Sequence, residues 1–301
     1  MLTVRFWGVR GSLPTPGPDT VIYGGNTSCM EIRADDRLLI FDLGSGVRPL
    51  GEWLIKNDLK KFGKISADIL LTHTHWDHIM GFPMFTPIYI PGTELRITGP
   101  LSLESDNLKS VIETQFSYQY WPVREGELAA AISYNQIKEE EIDLGNGLTV
   151  QSKFLNHPIL CLGYRVNYQG KSIATVYDHE PFRNLFASSP EEEGFNNDTV
   201  MEGEIAAAEE NEKIRQFVKG ADIVIHDAQY TNEEYATHTG WGHSSYEHAV
   251  ETTAGMNVKK LVLYHHEPTR TDAELIELEK IYANNTEPQI IMAKEGLILE
   301  A

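Results

Sequence analysis

Six consecutive residues, from His73 to His78, place metal-binding side chains at close spacing. They read His-Thr-His-Trp-Asp-His and directly follow an apolar run at residues 67–72, which predicts a buried strand. Side chains two apart in an extended segment point the same way, so His73 and His75 can converge on one point. The chain must then turn, and Asp77 and His78 can face a second point close by. Because imidazole suits zinc, iron and nickel and carboxylate suits harder ions, the motif predicts a metal site, and a paired site rather than a single one.

Short strands with flanking helices are predicted along the rest of the chain. Strand patterns occupy residues 2–7, 29–33, 38–42, 67–72, 95–98, 148–156, 161–168, 172–177, 222–225 and 260–264. Helix patterns occupy residues 46–59, 105–114, 247–255 and 272–283. An acidic segment at 188–211 is expected to be a solvated insertion that ends in a helix, with an interaction surface as the alternative. Strands mixed with helices indicate a layered α/β protein, which we expect to form one domain over residues 1–301.

Potential ligands also follow three later strand patterns. His157 comes after the strand that begins at residue 148, and Asp178 comes directly after the strand that ends at residue 177. The pair His265-His266 follows the strand at 260–264. Scaffolds commonly display functional residues where strands end and loops begin. We favour His265 over His266 as a ligand because it directly follows the strand.

The order of these motifs resembles that of the metallo-β-lactamase-fold hydrolases, over nearly the whole chain. The resemblance implies an αββα sandwich of two packed mixed β-sheets flanked by helices, with two divalent metal ions at one edge. One ion would be held by His73, His75 and His157, the other by Asp77, His78 and His265, with Asp178 bridging them. Zinc is the expected metal, with iron or manganese as alternatives. A bridging water between two such ions becomes a hydroxide nucleophile near neutral pH.

Two residues depart from the pattern of this superfamily. His179 and Glu180 follow Asp178, where the superfamily more often has a small or hydroxyl residue. They are expected either to contact the ligands or to be plain polar loop residues.

The ligand pattern also separates subclasses within the resemblance. Dizinc β-lactamases carry a cysteine in the second site, whereas this chain has Asp178 at the bridging position, which argues against lactam hydrolysis. His75 stands where flavodiiron oxygen-reducing proteins carry a glutamate, which favours hydrolysis over redox chemistry. Thioesterases like glyoxalase II share the ligand set but would be expected to end in a helical extension, which we do not see in this sequence.

A second pair of residues points towards phosphodiesterases. Ribonuclease Z-like enzymes place an acid after a strand and then a histidine shortly before the last ligand, and here Asp227 and His243 match that pattern. Such a pair would fix the tautomer of the imidazole and raise its basicity. We therefore predict that His243 protonates the leaving oxygen, oriented by Asp227, and we include Asp77 among the catalytic residues. The runs at 8–14 and 23–28 resemble those of bacterial ribonuclease Z-like and cyclic-nucleotide phosphodiesterase-like proteins.

The acidic charge bears on the size of the substrate. The formal net charge is −19, from 25 Lys and Arg against 44 Asp and Glu. Nucleic-acid binders usually show a basic patch, and we find neither such a patch nor a basic arm that could grip tRNA. The expected substrate is therefore a small anionic phosphodiester, such as a cyclic nucleotide, rather than a long nucleic acid. A thioester or carboxylic-ester hydrolase is the first alternative, and a non-catalytic di-iron sensor or oxygen-binding protein is the second.

Substrate contacts are predicted on less specific grounds. Arg48 and Arg124 are candidate phosphate contacts, and Tyr120 and Trp121 lie in an aromatic segment that could stack a base. Core packing is the alternative role of the two aromatic residues.

The remaining composition bears on the compartment. No apolar run approaches the ~18 residues that suggest a membrane span, and the first residues lack the apolar stretch of a secretory signal. The chain has two cysteines, Cys29 and Cys161, so no disulfide framework is implied and both are expected to be buried and free. These features predict a cytoplasmic protein without membrane partners, and a homodimer is compatible with them.

Overall fold

Two seven-stranded sheets pack face to face, and helices cover the outer face of each sheet. The computed structural model describes residues 1–101, 107–186, 189, 191, 194–283 and 287–301. In chain order, the first seven strands are β1 Leu2–Gly8, β2 Cys29–Ala34, β3 Arg37–Phe41, β4 Ser66–Leu70, β5 Glu94–Pro100, β6 Ala131–Ile137 and β7 Glu141–Asp143. The next seven strands are β8 Leu148–Leu155, β9 Cys161–Tyr168, β10 Lys171–Val176, β11 Ile223–Asp227, β12 Lys260–Tyr264, β13 Gln289–Met292 and β14 Ile298–Glu300. The α-helices are α1 Val47–Lys56, α2 Asp58–Phe62, α3 Trp76–Ile79, α4 Leu108–Thr114, α5 Asn197–Val218, α6 Asn232–His238, α7 Tyr246–Thr253 and α8 Asp272–Tyr282.

Both sheets are mixed, as predicted. The first has the order β14-β1-β2-β3-β4-β5-β6, and the second has the order β13-β12-β11-β10-β9-β8-β7. In the first sheet β3, β4, β5 and β6 run parallel, and in the second β10, β11, β12 and β13 run parallel. The carboxyl ends of neighbouring parallel strands meet at one edge of a sheet, and the residues that follow these strands are therefore brought close together.

Successive side chains of a strand alternate between its two faces, and this alternation separates the core between the sheets from the cores under the helices. In β1, Leu2, Val4 and Phe6 enter the core between the sheets, whereas Trp7 enters the core under the first helical layer. Side chains two apart on a strand share a face, so one strand contributes to both cores. The outer core of the second sheet is closed by apolar residues of α5, α7 and α8, including Ile214, Ala249 and Leu275.

The structure differs from the predicted elements mainly at the sheet edges. Strands β6, β7, β13 and β14 are additional to the prediction, and the predicted helix 46–59 is divided into α1 and α2 around Asn57. Residues 105 and 106 of the predicted helix 105–114 lie outside the described residues. The acidic segment 188–211 is described only in part, because residues 188, 190, 192 and 193 also lie outside them. From Asn197 onwards this segment forms the first part of α5.

Two further sequence expectations concern the whole chain. Cys29 and Cys161 are both buried and free, as expected. Within the described ranges, no helix combines the length and the apolar character needed to cross a bilayer.

Three strands end in residues with left-handed backbone geometry. Asp42 after β3 has φ 59°, Asp178 near the end of β10 has φ 26°, and His265 after β12 has φ 63°. Positive φ is uncommon outside glycine, although Asp and His adopt it more often than most residues. Such backbone conformations cluster at functional sites, and these three side chains are all buried near one another at the same edge of the sandwich.

Candidate dinuclear metal centre

A first group of ligand atoms is formed by His73, His75, His157 and Asp178. One ligand atom of each lies within 4.8 Å of the others. His73 Nε2 is 3.4 Å from Asp178 Oδ2, and His157 Nε2 is 3.9 Å from the same oxygen. His157 Nε2 also lies 3.0 Å from His75 Nδ1. Three imidazole nitrogens and one carboxylate oxygen therefore converge on one point, which is the ligand set expected of a zinc-type site.

A second group shares the same aspartate. It comprises Asp77, His78, Asp178 and His265, again within 4.8 Å of one another. His78 Nε2 lies 3.2 Å from Asp178 Oδ2 and 3.3 Å from Asp77 Oδ2. His265 Nε2 lies 3.3 Å from Asp77 Oδ2 and 3.3 Å from Asp178 Oδ1. Because both oxygens of Asp178 are used in this way, the structure places Asp178 between two neighbouring sites.

The remote nitrogens of two ligand candidates are held through Thr72 and Asp42. Thr72 Oγ1 donates to Asp42 (3.0 Å) and accepts from His73 Nδ1 (3.0 Å). His78 Nδ1 donates directly to Asp42 Oδ2 at 2.8 Å. These bonds place the protons of His73 and His78 on Nδ1, so Nε2 of each ring presents its lone pair towards Asp178.

The rings of His157 and His265 are fixed by the second sheet and its loops. His157 Nδ1 donates to the carbonyl oxygen of Gly242 at 3.0 Å, and His265 Nδ1 is 3.3 Å from Gln229 Oε1. A metal-binding histidine almost always donates its other ring N–H to a carbonyl or carboxylate, which fixes the tautomer and the orientation. The hydrogen bonds of these rings therefore match those of metal ligands.

The buried polar atoms at the centre fit bound cations. His73 Nε2, His78 Nε2 and Asp178 Oδ1 are buried without a hydrogen-bond partner, although buried polar groups are normally paired. At His78, burial is outweighed by the charges of Asp178, Asp77 and Asp42, which raise its pKa, a rise that bound cations would oppose. Burial lowers the pKa of His157 to about 4, and burial also lowers the pKa of His73. Both rings are thus held in the neutral form that binds metals. The residues present fit two divalent ions.

The predicted pair of His243 and Asp227 lies beside this centre. His243 Nδ1 donates to Asp227 Oδ2 at 2.7 Å, and the His243 ring stacks on that of His265 with centroids 5.0 Å apart. Burial opposes charging of His243, but the charge and hydrogen bond of Asp227, with the charges of Asp178 and Asp77, raise its pKa to about 9. Bound divalent ions would counteract this rise. Since Nδ1 is bound to Asp227, Nε2 is the nitrogen that can give up a proton.

The structure distinguishes His265 from His266. His265 Nε2 points to Asp77 and Asp178, whereas His266 Nε2 lies 2.8 Å from the carbonyl oxygen of Ala293. The left-handed geometry of His265 turns its ring away from the strand direction and towards the centre. Of the two histidines, only His265 enters either ligand group, and its role as a metal ligand stays a prediction.

Comparisons with known proteins agree with this arrangement. The family described as the metallo-beta-lactamase superfamily matches residues 22–97. The metallo-β-lactamase fold protein YhfI from Bacillus subtilis is similar over 100% of this chain and 99% of its own, with a TM-score of 0.65 and 15% identity. The chain has the metallo-β-lactamase fold. The predicted αββα sandwich is thereby confirmed, with the metal-ligand candidates of this fold at one edge.

Other proteins similar to the chain act on phosphate esters or anhydrides according to their names. A ribonuclease Z of Staphylococcus epidermidis is 24% identical over 291 residues, which is 88% of each chain. Human tRNase Z, short form, has a TM-score of 0.62 at 18% identity and covers 99% of this chain and 98% of its own. A diphosphatase of the PhnP family has a TM-score of 0.63 at 18% identity and covers 100% and 98%. At these identities the structural likeness shows the metallo-β-lactamase fold.

Asp42 is a functional candidate that sequence reasoning did not single out. It ends a predicted strand, yet in the structure it contacts His78 directly and His73 through Thr72. The available signal was an acidic residue at the end of an otherwise apolar strand, residues 38–42. Ser12, in the loop after β1, was also missed: its backbone N–H donates to Asp77 Oδ2 at 2.8 Å.

We expect Asp42→Asn to weaken metal binding while the fold is retained. Asparagine tolerates positive φ, but one carboxylate oxygen becomes an amide N–H that faces the donors of Thr72 or His78. Partners of metal ligands typically contribute 10–100-fold to metal affinity or activity, and we expect a loss in that range. Competition with a chromogenic chelator measures the affinity.

Asp58→Asn is the matched control for this prediction. Asp58 is also a buried acid, but it pairs with Arg33 at 2.9 Å in the first helical layer. Its replacement should leave metal affinity unchanged. Equal losses in both variants would mean that Asp42 acts through general stability and not through the ligands.

The two predicted phosphate contacts have other partners in the structure. Arg48 is on α1 and forms an ion pair with Glu52 (2.9 Å), and the guanidinium of Arg124 lies 4.2 Å from the ring centroid of Tyr118. In the described part of the chain, neither arginine forms an ion pair with a ligand candidate. Their role as phosphate contacts therefore stays a prediction.

The aromatic residues of the same prediction divide between core and surface. Trp121 donates to the hydroxyl of Tyr89 at 2.8 Å and packs against the core under the first helical layer. Tyr120 is exposed. Trp121 therefore has the alternative role, core packing. Two other exposed aromatic residues lie next to residues of the centre in the sequence: Trp76 within the motif at 73–78, and Trp241 directly before Gly242.

Proposed function

We propose that this protein is a dinuclear metal-dependent hydrolase that cleaves phosphodiesters. The observation that carries the proposal is the pair of ligand groups that share Asp178, with the His243–Asp227 pair stacked beside them. Each part has a role in phosphodiester hydrolysis, which requires neutralisation of charge, a nucleophile and a proton for the leaving oxygen. The ribonuclease Z name of the relatives supports the same reaction class.

Some residues of the centre would bind the metal ions, and His243 would transfer a proton. Two divalent ions in the two ligand groups would supply Lewis acidity and a nucleophile at neutral pH. Asp178 would contribute to both ligand groups, and the backbone N–H of Ser12 fixes the carboxylate of Asp77. His243 would donate its Nε2 proton to the leaving oxygen, while the hydrogen bond to Asp227 fixes the ring and its tautomer. We propose zinc as the metal because the ligands are imidazole and carboxylate groups around a compact centre, with iron or manganese as alternatives.

We further propose that the substrate is small. The net charge of −19 opposes the approach of a polyanion. A cavity of about 230 Å³ next to the centre is lined by His157, Asn156, Phe182, Arg183 and Gly242, among others. Arg183 is exposed there, with its Nε 3.8 Å from Glu180, and offers a further cation for a phosphate group. The two buried free cysteines fit a reducing compartment, and we propose the cytoplasm.

Cleavage of RNA is the second candidate, favoured by the names of the relatives. Wild-type protein loaded with zinc should therefore be compared on a cyclic nucleotide, bis-nitrophenyl phosphate, a tRNA precursor and a thioester. We expect both small phosphodiesters to be hydrolysed faster than the tRNA precursor, and the thioester to react slowest. Efficient tRNA 3′-end cleavage without activity on small phosphodiesters would reverse the substrate assignment.

The same four substrates distinguish a phosphodiesterase from an ester hydrolase and from a protein without turnover. Preferred hydrolysis of the thioester would establish an ester hydrolase. Absence of turnover on all four substrates, together with two bound iron ions and an optical charge-transfer band, would instead support a sensor or an oxygen-binding protein. The optical spectrum of protein purified without a chelating tag identifies the di-iron protein before any assay.

A further inference from the structure

Glu180 is a buried carboxylate near the centre that belongs to neither ligand group. It is 4% exposed and lies two residues after Asp178. Its Oε1 accepts hydrogen bonds from the backbone N–H of Gly240 at 2.7 Å and from the hydroxyl of Tyr235 at 2.9 Å. Its Oε2 accepts from the backbone N–H of Gly242 at 2.9 Å. An ionised carboxylate is an acceptor only, so these three hydrogen-bond donors are matched to it, and Arg183 Nε lies 3.8 Å from the same Oε1.

The loop that Glu180 binds carries two parts of the proposed machinery. The carbonyl oxygen of Gly242 accepts from His157 Nδ1, and His243 is the next residue along the chain. Gly242 has φ 87°, and a side chain there would collide with the His157 ring. The loop therefore fits against His157 with little freedom. A displacement of residues 240–242 would move the acceptor of His157 and the ring of His243 together.

The backbone next to Glu180 contacts the same surroundings. The backbone N–H of Glu180 donates to the carbonyl oxygen of Asn156, the neighbour of His157, at 2.9 Å. Ser244 donates its hydroxyl to the carbonyl oxygen of His179. The segment after Asp178 thus touches the loops of His157 and His243 from one side, with the Glu180 side chain as its charged contact.

We infer that Glu180 is a positioning residue that holds the 240–242 loop, and through it His157 and His243, in register with Asp178. The inference rests on the proposed function for the role of His243, but its effect on His157 can be measured through metal binding alone. The two hydrogen bonds to the amides of Gly240 and Gly242 and the burial of the carboxylate support it. Charge-assisted hydrogen bonds of this kind are stronger than neutral ones.

Glu180→Gln in the full-length, zinc-loaded protein tests the inference. Glutamine has the same size, but its amide N–H₂ would face one of the donors that Glu180 binds. We expect the zinc affinity of the group that contains His157 to fall by about 10–100-fold, as for other partners of metal ligands. We also expect the rate on a ribose-type leaving group to fall more than the rate on bis-nitrophenyl phosphate, because misplacing His243 affects only the leaving group that needs a proton.

Tyr235→Phe is the matched control, since it removes one hydrogen bond to the same carboxylate and leaves both loop amides bound. It should keep wild-type zinc affinity and the wild-type ratio of the two rates. Glu180→Asp serves as the second variant if the glutamine protein does not fold: it keeps the charge but is too short to reach both amides, and the same two losses are expected.

The outcomes separate this inference from the proposed function. If wild-type protein cleaves no phosphodiester, the proposed function fails, and zinc affinity alone then decides the role of Glu180. Wild-type zinc affinity in the Glu180 variants, together with an unchanged ratio of rates where activity exists, overturns the inference. Equal losses in the Glu180 variants and in Tyr235→Phe overturn it as well, because they indicate a general effect on stability.

Discussion

Asp178→Ala should lose both metal ions and the hydrolytic activity together. Both carboxylate oxygens of Asp178 lie 3.2–3.4 Å from the Nε2 atoms of His73, His78 and His265, so removal of the side chain opens both ligand groups at once. We expect activity to fall by more than about 100-fold, since even partners of ligands contribute up to that factor. Metal content per chain, measured by elemental analysis beside activity, checks the expectation.

Asp222→Ala is the matched control for this variant. Asp222 is another buried acid next to the same strands, but it pairs with Lys259 at 2.6 Å and with the N–H of Ser172 at 2.9 Å. The control should retain two metal ions per chain. Two ions in Asp178→Ala would refute the shared site, and one or fewer ions in active, fully loaded wild-type protein would refute the paired site altogether.

His243→Ala should separate substrates by their leaving groups. An alkoxide such as a ribose oxygen needs a proton to leave, whereas nitrophenolate is stable enough to leave without one. General acid catalysis typically contributes 10²–10⁴-fold. We expect a rate loss of about that size on the ribose-type substrate and a much smaller loss on bis-nitrophenyl phosphate. Steady-state rates on both substrates, with metal content measured on the same samples, test this.

His238→Ala is the control for His243→Ala. His238→Ala removes a nearby imidazole that stacks on Tyr230 with centroids 4.6 Å apart, and it should leave the ratio of the two rates unchanged. Equal losses on both substrates in His243→Ala, with intact metal content, would favour substrate positioning over proton donation. Loss of metal would mean that His243 is itself a ligand. This outcome needs to be tested because His243 lies close enough to Asp178 and His265 to share an ion with them.

The residues of the two ligand groups could be picked out from the sequence because local rules place them. Four of the seven lie in one six-residue motif, and His157, Asp178 and His265 each follow a strand that is recognisable from its apolar residues. The sheet order then brings the strand ends together, as the resemblance implied. Asp42 could not be found in this way. Its contact with His78 depends on the parallel pairing of β3 and β4, which a single sequence does not display.

The strands that were not predicted share a physical reason. β6 has exposed and half-buried residues in alternation and lies at the edge of its sheet, and β14 has only three residues. Edge strands bury less apolar surface than central strands, so their patterns resemble those of loops. The packing of Trp121 could not be predicted for a similar reason: its ring has suitable chemistry for stacking, but the direction of a side chain outside helices and strands depends on tertiary packing.

Because each ligand group draws residues from both sheets, the supply of metal also bears on the stability and abundance of the protein. Each ligand group combines residues that follow β4 of the first sheet with residues that follow strands of the second, so a bound ion ties the two sheets together. A ligand that binds only the folded state stabilises it, by about 2.7 kcal/mol when its free concentration is a hundredfold above Kd. Changes of 1–2 kcal/mol can alter cellular abundance several-fold. In a cell starved of the metal, the amount of this protein would therefore fall along with its activity, and a simple immunoblot would report on the metal status of the cell.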